Sequence, residues 1–302
     1  MLELGLGSLS RLALRYINTM RMSIKGSVRL ALIVATYATN WSICANLIRS
    51  IERRDFMLKI HIDNGILRIL YKCTACYRNL WVSIFEVFLK KEYELVRDYE
   101  PREGDLVVDV GAHVGLYAIY AATKAKNVIA FEPIPQNFHY LMKHIELNNL
   151  KNVTAFPLAL ADEEGTAEFY MVGAGLASST SFEEHAEAYK KYYQIAGTVK
   201  ARKATLDKTM RNLGIKTINL LKIDTEGAEN SVLSGARLLL GMNAIHKIVV
   251  EVHKTVNRVS NITRFLRKYG YRIDAVFEES EKALVYARSL AESLILPCDW
   301  IF

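Results

Sequence analysis

The stretch Asp105-Leu-Val-Val-Asp-Val-Gly-Ala-His-Val-Gly-Leu116 decides the fold of this chain. Its apolar run, residues 106–110, is typical of a strand buried inside a parallel sheet. Two glycines, Gly111 and Gly115, follow at once, and glycine lets the backbone turn tightly and approach a ligand closely. The pattern predicts the first strand-to-helix turn of a nucleotide-binding sheet, with Asp109 near the end of its strand.

Strand and helix patterns alternate from this turn onward. Apolar runs predict sheet strands at 106–110, 127–132, 153–157, 218–223 and 247–252. Helical spacing between them predicts helices at 115–124, 135–149, 206–213, 228–240 and 260–269. Such alternation is typical of an α/β protein with a mainly parallel sheet and helices on both faces. Two further strands, near 167–172 and 198–203, are predicted to pair with each other.

The last two predicted strands, 271–277 and 282–287, must run antiparallel. Only residues 278–281 join them, whereas a parallel crossover needs about a dozen residues or more. The sequence therefore predicts a mainly parallel, seven-stranded sheet that ends in an antiparallel hairpin.

The first hundred residues carry most of the positive charge of the 302-residue chain. They hold 15 Lys or Arg and 9 Asp or Glu, a net charge of +6, and the formal net charge of the whole chain is +7. No acidic residue lies between Glu3 and Glu52. Such a stretch fits an anionic surface, such as lipid headgroups or nucleic acid, and equally a solvated positive face. Residues 30–48 are uncharged, but their polar positions favour an amphipathic helix over a membrane span.

A predicted hairpin follows this basic region. Two alternating runs, 56–62 and 66–71, flank the turn residues Asn64-Gly65, and residues 80–97 return to helical spacing. The four cysteines are too few and too scattered for a disulfide framework, which favours a reducing compartment. We therefore expect a cytoplasmic protein, with peripheral membrane contact through the basic N-terminal helices as an open alternative.

Charged or titratable residues end four of the predicted strands. They are Asp109, Glu132, Asp224 and the pair Glu251 and His253. Ligands of open α/β sheets bind beyond the carboxyl ends of the strands. Each residue alone fits a helix N-cap or a solvated loop position, but four at one edge favour a binding site.

Glu132 indicates a cofactor that contains adenosine. It lies 23 positions after Asp109, near the spacing at which an acidic residue accepts hydrogen bonds from ribose hydroxyls. A pyrophosphate prefers the turn G-x-G-x-x-G, whereas His113 makes the turn here G-x-x-x-G. A cofactor without a pyrophosphate therefore fits better than a dinucleotide.

Three segments carry a family resemblance. They are Asp109-Val-Gly-Ala-His-Val-Gly-Leu-Tyr117, Phe131-Glu-Pro-Ile-Pro-Gln-Asn137 and Asn219-Leu-Leu-Lys-Ile-Asp-Thr-Glu-Gly-Ala-Glu229. In this order they resemble the FkbM family of S-adenosylmethionine-dependent methyltransferases. The resemblance covers about residues 80–290 and implies an α/β, class I methyltransferase (Rossmann-like) fold after a helical N-terminal region.

Charge, helical and strand patterns and this resemblance together divide the chain into four predicted parts. They are a basic helical region at 1–54, a hairpin and helix lead-in at 55–100, a methyltransferase domain at 101–290 and a C-terminal tail at 291–302. The turn 109–115 would cradle the amino-acid part of S-adenosylmethionine, Glu132 would bind its ribose, and residues 160–162 would border its adenine. The predicted cofactor-binding residues are Asp109, Gly111, His113, Gly115, Glu132, Leu160 and Asp162.

Methyl transfer is an in-line displacement, so holding the acceptor close and aligned supplies most of the catalysis. A hydroxyl acceptor also needs a base within hydrogen-bond reach. We predict Asp224, at the end of the fourth strand, with His253 beside it and Glu226 as a further candidate. Glu229 could instead be a first-turn acid that complements a helix dipole. We predict no metal, although Asp224 and Glu226 could alternatively hold a divalent cation.

The predicted function is methyl transfer from S-adenosylmethionine to a hydroxyl of a glycan or secondary metabolite. The oxygen acceptor rests on the family alone. Two alternatives stay open: an NAD-dependent oxidoreductase on a similar sheet, and a relict methyltransferase domain that acts as a binding protein. A nucleic-acid methyltransferase is a third, but the nearly neutral catalytic part offers no basic groove for phosphates. We therefore expect a small-molecule or glycan acceptor and no nucleic acid partner.

Overall fold

The computed structural model describes residues 56–62, 65–71, 80, 83–172, 179–180 and 195–291. The predictions for the basic N-terminal region, for all four cysteines and for the tail beyond residue 291 lie outside these residues. Within the described part of the chain, no helix has the length and apolar character needed to cross a membrane.

Thirteen strands, six α-helices and two shorter helical turns make up the described residues. The strands are β1 (Phe56–Ile62), β2 (Gly65–Tyr71), β3 (Leu106–Val110), β4 (Asn127–Phe131), β5 (Val153–Phe156), β6 (Ala159–Leu160), β7 (Gly165–Val172), β8 (Ser179–Thr180), β9 (Ile195–Ala204), β10 (Ile218–Ile223), β11 (Ile245–His253), β12 (Tyr271–Glu278) and β13 (Lys282–Ser289). The helices are α1 (Leu116–Ala122), α2 (Pro135–Leu147), α3 (Leu206–Asn212), α4 (Glu229–Ser234), α5 (Arg237–Gly241) and α6 (Val259–Lys268). A π-helix (Phe85–Lys90) and a 3₁₀-helix (Glu92–Glu94) precede β3.

Seven strands form the main sheet, in the order β12-β13-β11-β10-β3-β4-β5. The five strands from β11 to β5 in this order are parallel, whereas β13 runs antiparallel to both β11 and β12. This arrangement confirms the predicted α/β sheet with its terminal antiparallel hairpin. The strand order reverses between β3 and β10, and ligands of such sheets bind at that switch point.

Each face of the main sheet packs against helices through its own apolar cluster. Helices α1 and α2 cover one face, where Ile119 and Leu141 are fully buried. Helices α3 to α6 cover the other face, where Leu206 and Leu233 are fully buried. Because successive strand residues point to opposite faces, the unbroken apolar runs of the parallel strands supply both clusters.

The predicted hairpin is confirmed by β1 and β2. These strands pair antiparallel from Phe56 opposite Tyr71 to Ile62 opposite Gly65. Asn148, after α2, accepts a hydrogen bond from the backbone N–H of Arg68 at 2.6 Å and donates to its carbonyl at 2.8 Å. This two-way contact anchors the hairpin to the main domain.

A second, smaller sheet has the order β6-β9-β7-β8. Strands β7 and β9 pair antiparallel, as the sequence predicts for 167–172 and 198–203. The parallel pairing of β6 with β9 aligns Leu160 with Ala204. Strands β7 and β9 therefore belong to this second sheet and do not extend the main one.

The prediction of one helix over 228–240 is wrong. Helix α4 ends at Ser234, and α5 begins at Arg237. The Asp207 carboxylate of α3 accepts hydrogen bonds from the backbone N–H groups of Leu238 at 2.8 Å and Leu239 at 3.0 Å. It thereby caps a new helix N-terminus, and because the cap comes from another helix, the apolar spacing of 228–240 does not reveal it.

Candidate active site

A cavity of about 1080 Å³ opens at the carboxyl ends of the parallel strands. Its two sides are the turn wall and the lead-in wall. The turn wall comprises lining residues from 110–117, 131–137 and 158–162. The lead-in wall comprises lining residues from 83–93, 251–257 and 279–282. The end of β10, with Lys222 and Asp224, lies between them.

The two glycines of the turn are required for packing. Gly111 has a φ of 76° and Gly115 a φ of 88°, a region that residues with a Cβ rarely adopt. A Cβ at position 111 would overlap the backbone carbonyl of Asp224, and a Cβ at position 115 would overlap Leu141 of α2. The turn can therefore lie against the end of β10 and against α2, a reason for the glycines that does not involve a ligand.

Asp109 lies behind this turn rather than on the cavity wall. Its side chain is fully buried, and its Oδ1 is 3.0 Å from Nζ of Lys222 on the neighbouring strand. Burial raises the pKa of Asp109 although the Lys222 ammonium opposes this shift. Burial acts to lower the pKa of Lys222, but the charges of Asp109 and Asp224 outweigh it and raise that pKa. The result is a buried ion pair between β3 and β10.

Glu132 is buried on the turn wall, directly after β4. Its Oε1 accepts a hydrogen bond from the backbone N–H of Ile134 at 2.9 Å, and its Oε2 accepts from that of His113 at 2.8 Å. Asn137 Nδ2 donates to Oε1 at 3.3 Å. Burial raises the pKa of Glu132 to about 7, against the effect of these donors. The carboxylate is thus held rigidly and retains lone pairs for a hydroxyl-bearing ligand.

An apolar slot adjoins Glu132. It is lined by Phe131, Leu158, Leu160 and Ala161. Asp162 lies at its edge, where Ser231 Oγ donates a hydrogen bond to Asp162 Oδ1 at 2.7 Å and lowers the pKa of that carboxyl. A flat heterocycle fits such a slot, with the exposed carboxylate placed to accept from an amino group.

Asp224 follows β10 and faces the cavity. Its Oδ2 accepts a hydrogen bond from the Tyr93 hydroxyl at 3.0 Å and is 3.5 Å from Lys222 Nζ. Its Oδ1 is 4.0 Å from Nε2 of His253. The two oxygens therefore have different neighbours: Tyr93 and Lys222 lie beside Oδ2, and His253 lies beside Oδ1.

His253, the last residue of β11, lies between carboxylates. Its Nδ1 is 2.9 Å from Oε1 of the fully buried Glu229, and its Nε2 is 3.2 Å from Oε2 of Glu226. Glu229 also accepts from the Gly227 N–H at 2.9 Å and from Asn257. A carboxylate only accepts, so in the neutral imidazole we assign the hydrogen to Nδ1, toward the fully buried Glu229, and Nε2 lies beside Glu226 at the cavity. Burial acts to lower the pKa of His253, but Glu226 and Glu229 outweigh it and raise that pKa well above its usual value.

Carboxylates predominate on the lead-in wall. Two of them, Glu86 and Glu251, share Lys282 with the fully buried Glu92 behind the wall: the lysine Nζ is 2.7 Å from Glu86, 3.2 Å from Glu251 and 2.8 Å from Glu92. Burial raises the pKa of Glu86 to about 7 and raises that of Glu251 well above its usual value. This side of the cavity consequently favours uncharged or positive groups over anions.

Three side chains of the cavity lie close enough together to coordinate a divalent cation. Ligand atoms of Asp224, Glu251 and His253 lie within 4.8 Å of one another. The two carboxylates already have hydrogen-bond or ion-pair partners in Tyr93 and Lys282. This trio fits a cation better than the alternative pair Asp224 and Glu226, but we assign no metal to it.

Comparison with known proteins identifies the family. The model described as "Methyltransferase FkbM domain" matches residues 109–273, more than half of the chain. The chain belongs to this family. FkbM domains use S-adenosylmethionine, so the matched segment is an S-adenosylmethionine-dependent methyltransferase domain and not an NAD-dependent oxidoreductase domain. The strand order described above is that of the class I methyltransferase fold.

Curated relatives carry several names. The chain is 26% identical to 31-O-demethyl-FK506 methyltransferase FkbM of Streptomyces tacrolimicus over 260 residues, 76% of this chain and 93% of that protein. It is 28% identical to hexuronic acid methyltransferase AglP of Haloferax volcanii over 180 residues, 59% of this chain and 69% of that protein. The match to AMB antimetabolite synthetase AmbE of Pseudomonas aeruginosa is 27% identical over 259 residues and covers 71% of this chain, but the chain spans only 12% of that protein.

A solved structure is also similar to this FkbM domain. It is methyltransferase FkbM from Methylobacillus flagellatus, with 14% sequence identity and a TM-score of 0.43. The superposition covers 82% of this chain and 60% of the other.

The cavity of this FkbM domain fits S-adenosylmethionine at three points. Asn137 Oδ1, buried beside Glu132, has no hydrogen-bond partner among the described residues, and a ribose hydroxyl would supply one. The apolar slot next to Asp162 has the character that adenine requires. The carboxylate of Asp224, between the two walls, would face the positive sulfur.

Most of the predicted site residues line this cavity. They are His113, Gly111, Glu132, Leu160, Asp162, Asp224, Glu226 and His253. Asp109 and Gly115 lie behind the turn instead. Sequence reasoning missed Lys222, Tyr93 and Lys282. A lysine inside the apolar strand Asn219-Leu-Leu-Lys-Ile223 is a signal for a buried ion pair, whereas nothing local marks Tyr93, which contacts Asp224 across 131 positions.

Proposed function

We propose that this FkbM domain transfers the methyl group of S-adenosylmethionine to a hydroxyl oxygen of a glycan or another small secondary metabolite. The observation that carries the proposal is His253, whose Nδ1 is fixed by buried Glu229 and whose Nε2 faces the cavity near Asp224. The names of two relatives support an oxygen-rich acceptor, since one refers to 31-O-demethyl-FK506 and the other to a hexuronic acid.

Cofactor and acceptor would meet at the end of β10. When bound, S-adenosylmethionine supplies an electrophilic methyl group on a positively charged sulfur. The glycine turn, Glu132 and the apolar slot would hold the cofactor on the turn wall. The lead-in wall would then hold the acceptor oxygen in line with the methyl group, and this alignment supplies most of the rate enhancement.

His253 is the base in this proposal. Its hydrogen bond to Glu229 fixes the tautomer and the ring orientation, so that Nε2 can take the hydroxyl proton. Glu226 and Glu229 raise the pKa of His253 and thereby favour the imidazolium in the ligand-free protein. A positive charge brought next to Asp224 opposes the imidazolium and lowers its pKa, so the base becomes available when the cofactor site is filled.

Asp224 takes an electrostatic role in this proposal instead of the role of base. Its Oδ2 is engaged by Tyr93 and lies near Lys222, while Oδ1 is directed at the cavity. A carboxylate in this position stabilises the positive sulfur without accepting a proton. Glu226, 3.2 Å from Nε2, sets how strongly His253 holds its proton.

The acidic composition of the lead-in wall disfavours a nucleic acid as the acceptor. Glu86, Glu251, Glu279 and Glu281 line this wall beside one lysine, Lys282, so its described residues offer no basic surface for phosphates. Peripheral membrane contact through the N-terminal region stays a prediction.

Product analysis tests the oxygen acceptor. The purified chain is incubated with methyl-labelled S-adenosylmethionine and a panel of macrolide alcohols and neutral sugars, and the labelled products are mapped by NMR. We expect the label on a hydroxyl oxygen, with one S-adenosylhomocysteine released per methyl group. A label found only on nitrogen or carbon would contradict the proposal, as would cofactor binding with no transfer to any hydroxyl of the panel.

A further inference from the structure

Tyr93 reaches the cavity from outside the stretch that the family model matches, residues 109–273. It belongs to the 3₁₀-helix that follows the π-helix, and Lys91 between the two helices has a left-handed backbone with a φ of 49°. After this left-handed residue, Tyr93 is 5% exposed and lines the cavity. The lead-in segment thus contributes a residue to the centre of the site.

Two groups hold the same oxygen of Asp224. The Tyr93 hydroxyl donates to Oδ2 at 3.0 Å, and the Lys222 ammonium is 3.5 Å from that oxygen. The ammonium also lies 5.1 Å from the centre of the Tyr93 ring, within the range of a cation–π contact. The three side chains therefore form one connected unit on the cavity wall.

We infer that Tyr93 is a positioning residue for methyl transfer, because it holds Asp224 Oδ2 and thereby directs Oδ1 toward the sulfur position and His253. The inference rests on the proposed function. Lys222 alone cannot fix one oxygen, since its ammonium is shared with Asp109 at 3.0 Å and with the Gly111 carbonyl at 3.1 Å. Without the hydroxyl, the carboxylate can rotate about its broad terminal torsion and turn charge away from the cavity.

The Tyr93 hydroxyl is chemically suited to this role. Burial, with the charges of Asp224 and Glu251 nearby, raises the pKa of Tyr93 well above its usual value. The group therefore stays a hydrogen-bond donor throughout the pH range of an enzyme assay. Glu251 Oε2 lies 3.4 Å from the same hydroxyl, so the donor also separates two carboxylates that would otherwise repel each other.

The test compares the affinities of S-adenosylmethionine and S-adenosylhomocysteine, which differ by the methyl group and the positive charge on sulfur. Tyr93→Phe removes only the hydroxyl and keeps the ring beside Lys222. We expect this variant to bind S-adenosylmethionine roughly five- to tenfold more weakly, while its affinity for S-adenosylhomocysteine changes by less than about twofold.

Tyr99→Phe is the matched control. Tyr99 is also buried, and its hydroxyl also donates to an aspartate, Asp274, at 3.0 Å, but this pair lies away from the cavity. Asp224→Asn and the double variant complete a mutant cycle with Tyr93→Phe. Because both changes act through one carboxylate, the second change should weaken S-adenosylmethionine binding by no more than about twofold beyond the first.

Two outcomes would overturn the inference. They are an unchanged ratio of the two affinities in Tyr93→Phe, whether neither ligand or both lose affinity equally, and fully additive losses in the double variant. Equal losses would assign Tyr93 to support of the fold. A wild-type chain that binds neither ligand would contradict the proposed function instead, so the two failures are distinguishable.

Discussion

The two walls of the cavity differ in how they handle charge. On the turn wall, the single buried carboxylate, Glu132, is held by three nitrogen donors beside an apolar slot. On the lead-in wall, Glu86 and Glu251 share the cation Lys282, and Glu251 also lies 3.8 Å from His253 Nε2. On the turn wall, the donors to the carboxylate come from nearby positions in the chain. On the lead-in wall, the acidic side chains are paired with a lysine from a distant part of the chain.

The walls also differ in where their residues lie in the chain. The family model covers the whole turn wall, whereas Tyr93 and Lys282 fall outside its 109–273 match. In the proposed function, the residues of the turn wall that would bind the cofactor therefore lie in the family segment, while Tyr93 and part of the proposed acceptor side come from flanking segments. We expect acceptor selectivity to depend on the lead-in wall.

The largest effect is expected from His253→Gln. Removal of the proposed base should slow methyl transfer by roughly 10²- to 10⁴-fold, the usual contribution of general base catalysis. Binding of S-adenosylhomocysteine should stay within a few-fold of wild type, because the turn wall is untouched. Single-turnover kinetics and calorimetry measure the two quantities.

His139→Gln, an exposed histidine on α2, is the control for this substitution. It should leave both transfer and binding unchanged. Transfer by His253→Gln at the wild-type rate would remove His253 from the mechanism.

Asp109→Asn should act on stability. The substitution leaves the Lys222 ammonium buried without its closest counter-charge, which typically costs about 3–5 kcal/mol. Urea unfolding would measure the loss, with the exposed Glu103→Gln as control. A variant of unchanged stability that fails to bind S-adenosylhomocysteine would show that Asp109 serves the ligand and not the fold.

Glu132→Gln should act on binding more than on stability. The charged carboxylate accepts hydroxyl hydrogen bonds more strongly than an amide, so we expect affinity for both cofactor forms to fall by roughly tenfold or more. Calorimetric titration measures this loss, and Glu146→Gln, exposed on α2, is the matched control. If only S-adenosylmethionine lost affinity, Glu132 would have to lie near the sulfur and not the ribose.

The smallest effect is expected from Glu226→Gln. Transfer needs the neutral imidazole, so the rate should rise with pH as His253 loses its proton. Glu226 raises the pKa of His253, and its neutralisation should move this rise toward lower pH by roughly one unit. The pH profile of kcat/KM measures the shift. A displacement toward higher pH would be inconsistent with His253 as the base.

The fold could be predicted because its signals are local. An apolar run followed by glycines marks β3 and its turn, and the short link 278–281 forces the terminal hairpin. Asn64-Gly65 marks the first hairpin in the same way. The break between α4 and α5 could not be predicted, because its cause is the side chain of Asp207 on another helix.

The candidate site could be located from the sequence, but its internal contacts could not. Parallel strands end at one edge, so Glu132, Asp224 and His253 had to meet there. Their partners come from remote positions: the tyrosine that holds Asp224 lies 131 residues away. The contact of Asp109 with Lys222 could not be predicted either, because it depends on the pairing of β3 with β10.

The most direct test of this account is the proton balance of cofactor binding. Titrations with S-adenosylmethionine and S-adenosylhomocysteine are run at neutral pH in two buffers of different ionisation enthalpy. The account predicts more proton release with S-adenosylmethionine than with S-adenosylhomocysteine, because the positive sulfur lowers the raised pKa of His253, and a smaller difference between the two ligands in His253→Gln. Equal proton release with both ligands, or the same difference with and without His253, would contradict a sulfonium site beside this histidine.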